Sequence, residues 1–231
     1  MFFDPLYFIV IAPGLVLSLW ASFRVKSAFN KYSKVRSARG LTSAEAAEEM
    51  LRYAGLSDVK VVPTSGMLSD NYNPLTKTLS LSEGVYGSNS IAAIGVATHE
   101  AGHALQHAAH YSPLWVRSAL VPTASIGSGL GYFVMVLGLM FSSTNMVLAG
   151  AILFSCVLLF QIVTLPVEFD ASHRAKVQVV EEGIITAQER EGMDRVLNAA
   201  ALTYVAAAIS TLLTLLYFLM RAGLLGGRRD D

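Results

Sequence analysis

Four long apolar runs constrain the fold of this 231-residue chain more than any other feature. They cover about residues 6–23, 118–141, 145–165 and 199–220, and none of them contains a charged side chain. A helix of roughly 20 apolar residues crosses about 30 Å of hydrocarbon, because it satisfies its own backbone hydrogen bonds. Residues 146–165 also lack the polar stripe of an amphipathic soluble helix. The sequence therefore predicts a mainly α-helical, polytopic membrane protein with four transmembrane helices.

The distribution of basic residues predicts which parts of the chain face the cytoplasm. Fourteen of the seventeen Lys and Arg residues lie in segments 24–117 and 166–198, and six of these lie between residues 24 and 39. Because positive charge is retained on the cytoplasmic side, we expect both segments inside and both termini outside. The expected location is the inner (plasma) membrane. Three basic residues of the tail run against this orientation: Arg221, Arg228 and Arg229.

The apolar runs and the segments between them divide the chain into five expected regions. These are a first transmembrane span (1–23), a cytoplasmic region with a histidine-rich stretch (24–117), the second and third spans (118–165), a pair of cytoplasmic helices (166–198), and a fourth span with the tail (199–231). The first cytoplasmic region carries both helix and strand signals. We therefore expect it to fold as a small α+β domain.

Local patterns place the elements of the first cytoplasmic region. Residues 42–45 form a capping-box pattern that opens a helix. Residues 59–63 and the alternating run Thr78–Ser82 are typical of short strands. A further helix, which contains the histidine-rich stretch, is expected to begin at a cap on Ser88 or Asn89.

The second cytoplasmic region is expected to be helical throughout. A helix is predicted from about Val167 to Glu182, after the third span has ended. Thr186 and Glu189 form another capping-box pattern, and the helix that they open is expected to continue into the last span.

The stretch THEAGHALQHAAHY, from Thr98 to Tyr111, contains four of the five histidines. On a helix, His99 and His103 lie about 40° apart around the axis and about 6 Å apart along it. Two imidazoles in this arrangement can bind one zinc ion at about 2.0–2.1 Å. Glu100 points about 100° away from His99, which suits a general base better than a ligand. The pattern predicts a zinc site with Glu100 as its catalytic base.

The next two histidines cannot complete this site. His107 continues the spacing of four residues, but it lies about 12 Å from His99 along a straight helix, too far to share one ion. We expect His107 and His110 to be polar or hydrogen-bonding residues at the helix end, where the helix dipole favours a cation.

The third ligand must come from another segment, and LPVEFDASHRA supplies the candidates. Glu168 is favoured, with Asp170 and His173 as rivals. Two spans separate this segment from His99, and an even number of crossings returns the chain to the same membrane face. Structural zinc usually has four protein ligands, often including Cys, and Cys156 lies in the middle of the third run. A catalytic site with an open position is therefore favoured.

Three stretches carry a resemblance to a known family over nearly the whole chain. The sequence resembles the YugP-type membrane zinc metallopeptidases of bacteria, and more distantly the gluzincins, in PLTKTLSLSEGVYGSNSIAAIGVATHEAGHALQH, LPVEFDASHRA and LNAAALTYVAAA. The resemblance implies a zincin-like cytoplasmic domain, with His99 and His103 as zinc ligands and Glu100 as the base. Gluzincins take a further Glu ligand from a downstream helix, which supports Glu168.

The sequence departs from the gluzincin pattern after this glutamate. An Asp that orients a ligand histidine often follows it by four residues, and Ser172 occupies that position here. Ser172 can accept an imidazole N–H but brings no charge. Asp170 faces away from the site if the helix is regular. Either Asp170 acts from a distorted turn, or another element orients the histidines.

Two further expectations concern the substrate. The strand Thr78–Ser82 would lie beside the active helix and pair with an extended peptide through backbone hydrogen bonds. Tyr204, near the start of the last span, is the candidate donor to the developing oxyanion, with His173 as the alternative.

These features predict a zinc-dependent endopeptidase of the membrane, with its site at the cytoplasmic face. The alternative is a non-catalytic scaffold or assembly factor that retains a metal site. Net charge is zero, so no nucleic-acid partner is expected. We expect a protein or peptide substrate associated with the lipid bilayer, and the sequence leaves the oligomeric state open.

Overall fold

The computed structural model describes residues 4–225, and two residues of the basic tail, Arg228 and Arg229, lie outside this part. Its helices are α1 (Pro5–Tyr32), α2 (Ser43–Tyr53), α3 (Glu83–Tyr86), α4 (Ile91–Ala108), α5 (Ser112–Ile126), α6 (Tyr132–Met140), α7 (Thr144–Glu181) and α8 (Ala187–Arg221). Its strands are β1 (Lys60–Thr64), β2 (Asn71–Asn73) and β3 (Thr78–Ser82).

Four helical segments in the described residues are long and apolar enough to cross a membrane, which confirms the predicted number of spans. They are α1, the continuous segment Ser112–Met140, α7 and α8. The π-helical turn Gly127–Gly131 joins α5 to α6 inside the second of these. Helices α7 and α8 have 38 and 35 residues, well beyond the roughly 20 that hydrocarbon requires. Part of each helix therefore continues outside the hydrocarbon.

The predicted break between the third span and the following helix is wrong. Helix α7 runs without interruption through Pro166. Proline removes one backbone hydrogen bond from a helix, and long membrane helices tolerate this loss because neighbouring groups compensate for it. Residues 167–181 therefore belong to the same helix as the third span.

The chain divides into two compact units. The helical unit contains residues 4–21, 115–165 and 203–225 of the described chain, and the mixed unit contains residues 22–114 and 166–202. In the helical unit, glycines permit close helix packing. A Cβ atom at Gly131 would lie 2.7 Å from the backbone nitrogen of Phe154 on α7.

Within the mixed unit, the described strands form one sheet in the order β1-β3-β2. Strand β3 is parallel to β1 and antiparallel to β2. The side chains of Leu79 and Leu81 on β3 are completely buried, and they pack in a core with residues of α2, α3 and α4.

The sheet order corrects one prediction about the substrate. Strand β3 was expected to pair with a peptide, but β1 covers one of its edges and β2 covers Thr78–Ser80 on the other. The sequence analysis missed β2, because NYN is too short to show an alternating pattern. The free edges of the sheet therefore belong to β1 and β2.

Both predicted capping boxes are present. Thr42 Oγ1 accepts the Glu45 N–H at 3.2 Å, and the Glu45 carboxylate accepts the Thr42 N–H at 2.8 Å. The box at Thr186 has the same two bonds, at 3.2 and 2.7 Å. Helix α4 begins slightly later than predicted, because Ser90 is its cap and accepts the Ala93 N–H at 3.2 Å.

Candidate active site

The candidate site forms where α4 and α7 touch inside the mixed unit. The contact is centred on Gly102, the glycine of HEAGH, where an added Cβ atom would lie 2.5 Å from the carbonyl oxygen of Ala171. No side chain fits at that distance, so only glycine permits this approach of the two backbones. The residues on either side of the contact are the ones that the sequence analysis selected as ligands.

Three of the predicted residues meet beside this contact. His99 Nε2 lies 3.2 Å from one oxygen of Glu168, and His103 Nε2 lies 3.8 Å from the other. The three ligand atoms all lie within 4.8 Å of one another. Glu168 is 3% exposed and His103 is 8% exposed. The rivals for the third position, Asp170 and His173, do not belong to this group.

The donor set and its spacing fit a zinc ion. Ligand atoms about 2.0–2.2 Å from one zinc lie roughly 3.3–3.6 Å from each other in a tetrahedron, and the distances from Glu168 to the two imidazoles bracket that range. Two imidazoles and one carboxylate are also a usual protein contribution to a catalytic zinc site. His99, His103 and Glu168 can therefore hold the metal.

Ser172 orients the first of these histidines. Its Oγ lies 3.0 Å from His99 Nδ1, which leaves Nε2 facing Glu168. Ser172 lies one helical turn after Glu168 on α7, so one face of this helix supplies both a candidate ligand and the group that orients another ligand.

Gln106 orients the second histidine. Its Nε2 donates to the carbonyl oxygen of Val167 at 2.7 Å and to the carboxylate of Asp170 at 2.8 Å. Because neither partner carries a proton to donate, the amide oxygen must be the atom that lies 3.0 Å from His103 Nδ1. His103 Nδ1 is therefore protonated, and its Nε2 presents a lone pair to the site.

Asp170 acts on His103 through Gln106 rather than by direct contact. Its carboxylate also accepts the Arg174 Nε–H at 2.6 Å, so Arg174, Asp170 and Gln106 form a chain that ends at the imidazole. The sequence analysis expected either a distorted turn or another element to orient the histidines, and it missed Gln106. A polar residue three positions after His103 lies on the same helix face, which is the signal that was available.

Comparison with known proteins agrees with this geometry. A family model described as "Putative neutral zinc metallopeptidase" matches residues 7–223. The chain belongs to this family. It is also 49% identical over 213 residues to "Putative membrane protease YugP" of Bacillus subtilis (strain 168), covering 92% of this chain and 94% of that protein. No solved structure matches the chain.

In this member of the metallopeptidase family, burial changes the pKa of the candidate base, Glu100. Burial raises the pKa of Glu100 to about 6, and His103 opposes this shift when its imidazole is protonated. The carboxylates of Glu168 and Asp70 add to the increase, while the Tyr72 backbone N–H, which donates to Glu100, reduces it. A carboxyl group with a pKa near neutrality can both accept and release a proton at physiological pH.

The electrostatics of His103 suit a metal ligand. Burial lowers the pKa of His103, and the neighbouring His99 lowers it further. The neutral imidazole is consequently favoured, and it is the form that binds metal.

The other predicted residues are not members of the three-ligand group. His107 lies in the last turn of α4, where its Nδ1 is 2.9 Å from the Tyr72 hydroxyl, and His110 is exposed just beyond that helix. His173 is exposed on α7. Tyr204 is half-buried on the part of α8 that belongs to the helical unit, and its role in catalysis stays a prediction.

Proposed function

We propose that the chain is a membrane-embedded zinc endopeptidase whose site faces the cytoplasm. The observation that carries this proposal is the meeting of His99, His103 and Glu168 beside Glu100. The family match supports a zinc peptidase, and the relative's name supports a membrane protease. The expected substrate is a protein or peptide associated with the membrane.

The residues of the site have separate roles in the proposed hydrolysis. A bound zinc ion supplies Lewis acidity, which polarises a carbonyl and acidifies water. His99, His103 and Glu168 would hold it. The Glu100 carboxylate takes a proton from the attacking water and then delivers it to the departing amine.

Strand β2 is the part of the sheet best placed to receive a substrate. It is an edge strand, and its Tyr72 N–H points to Glu100 rather than to β3. The N–H and C=O of one strand residue point to the same side, so the outer edge of β2 faces the base. An extended peptide that pairs with this edge would accept the Tyr72 N–H in place of Glu100 and would bring its own backbone to that carboxylate. Tyr204, with His173 as the alternative, is the proposed donor to the oxyanion.

Replacing the base separates proteolysis from metal retention. We expect Glu100→Gln to keep its zinc and to cleave fluorescently labelled casein about 10²–10⁴ times more slowly, because it removes the general base. The matched control is Glu83→Gln, at an exposed site on α3, which should cleave at the wild-type rate. Wild-type cleavage by Glu100→Gln would refute the mechanism, and the absence of zinc-dependent cleavage by the unmodified protein would favour a scaffold.

A further inference from the structure

Tyr72 connects the edge strand β2 to α4 at two points. Its hydroxyl lies 2.9 Å from His107 Nδ1, and its backbone N–H lies close enough to the Glu100 carboxylate to oppose the rise in the pKa of that group. Glu100 and His107 are seven residues apart, or about 10.5 Å along the helix. One tyrosine therefore spans two turns of α4, with its backbone at the base and its hydroxyl at the third histidine.

Strand β2 is short, and its pairing with β3 is correspondingly small. It has only three residues, paired with β3 through Asn71, Tyr72 and Asn73. The preceding loop projects outward, since Met67 and Leu68 are each 94% exposed. The loop is anchored where it enters the strand by Asp70, whose carboxylate accepts the Ser82 N–H at 2.8 Å.

We propose that His107 is a positioning residue that fixes β2 beside the catalytic base. His107 is too far along the helix to share an ion with His99. The centroids of the Tyr72 and His107 rings lie 5.9 Å apart. The hydrogen bond between the Tyr72 hydroxyl and His107 Nδ1 holds strand β2 against α4, with the Tyr72 backbone close to Glu100. The consequence for catalysis rests on the proposed peptidase function, but the attachment itself does not.

The attachment can be measured without zinc or substrate. We expect His107→Leu and Tyr72→Phe to accelerate backbone hydrogen–deuterium exchange of residues 70–78 in the metal-free protein, because each variant removes the same hydrogen bond. His107→Asn should retain the slow exchange of the wild type, since the asparagine amide places a polar atom near the position of Nδ1. The matched control is His110→Asn, at an exposed position beyond the helix.

The catalytic consequence is measured on the zinc-loaded protein with labelled casein. His107→Leu and Tyr72→Phe should each lower kcat/KM by roughly tenfold, the factor that corresponds to one hydrogen bond, with zinc content unchanged. The double variant should be no worse than either single variant, because both remove one interaction. His107→Asn should recover most of the activity.

Three outcomes would overturn the proposal. They are unchanged exchange in both His107→Leu and Tyr72→Phe, additive losses of kcat/KM in the double variant, or an equal loss in His110→Asn. Accelerated exchange in a protein that cleaves no peptide would support the attachment while refuting the peptidase function, so the two failures are distinguishable.

Discussion

Different polar groups orient the two histidines of the candidate centre. His99 receives the hydroxyl of Ser172, and His103 receives the amide of Gln106. The Gln106 side chain is completely buried. Its amide forms hydrogen bonds with both the Asp170 carboxylate and the His103 imidazole. Partners of this kind fix which imidazole nitrogen faces the metal, and they affect metal affinity without touching the ion.

Gln106→Leu should weaken zinc binding by about 10–100-fold, the usual effect of losing such a partner. The substitution keeps an apolar side chain of similar size in the buried site but leaves the His103 Nδ1–H, the Val167 carbonyl and Asp170 without the amide. Competition with a chromophoric zinc chelator measures the change. The control is Gln188→Leu, at an exposed position on α8. Equal zinc affinity in Gln106→Leu and the wild type would show that the amide has no part in metal binding.

The sequence identified the candidate zinc ligands but only some of the residues that orient them. The spacing of His99 and His103 follows from helix geometry, and counting membrane crossings permits the segment that contains Glu168 to reach them. The role of Gln106 depends on where Val167 and Asp170 lie in space, which no local pattern reveals. Its amide could be interpreted only once α4 and α7 were seen in contact.

The helix contact that builds the site depends on one glycine. Helix α4 contains small residues throughout, and the sequence does not show which of them touches another backbone. The structure separates Gly102, which approaches the Ala171 carbonyl, from Gly95, whose nearest neighbour is the flexible Met193 side chain.

A matched pair of alanine substitutions tests this difference. Gly102→Ala should cost about 1–3 kcal/mol of unfolding free energy and release zinc, because its Cβ would force α4 and α7 apart. Gly95→Ala should be neutral or slightly stabilising, since its Cβ would meet Met193 Cγ at 3.3 Å and alanine favours the helix. Thermal unfolding in detergent and zinc content report the two effects. Retained zinc and stability in Gly102→Ala would contradict the proposed role of this contact.

The strands show where local patterns stop being informative. Residues Thr78–Ser82 alternate clearly and form the predicted strand, but their pairing depends on the hairpin that brings β2 back beside them. Strand β2 carries Asn at both ends, a residue depleted in strands. Its position is set by tertiary contacts, Tyr72 with His107 and Asp70 with Ser82, so propensity could not locate it.

The orientation that we propose for the whole molecule is based on its basic residues and its four candidate spans. Apolar length predicted the number of spans because it depends only on composition, whereas local sequence did not predict that α7 continues through Pro166. The cytoplasmic placement of the mixed unit remains our proposal from the basic residues. It requires Ser57 and Ser142 to lie on opposite sides of the membrane.

Cysteine labelling tests this orientation directly. In a Cys156→Ser background, a membrane-impermeant thiol reagent should label Ser142→Cys in intact cells. It should label Ser57→Cys only in inverted vesicles or after permeabilisation, because the mixed unit faces the cytoplasm in our proposal. Labelling of Ser57→Cys in intact cells would reverse the orientation and move the site to the outer face.

The zinc content of purified protein tests the central claim. This claim is that His99 and His103 on α4 and Glu168 on α7 bind one zinc ion. Elemental mass spectrometry should find about one zinc per chain in the wild type, in keeping with a single three-ligand catalytic site. Glu168→Gln, which removes the carboxylate from that site, should be depleted of zinc. Glu181→Gln, the same change at an exposed position of α7, should keep it. Full zinc occupancy in Glu168→Gln would contradict the account.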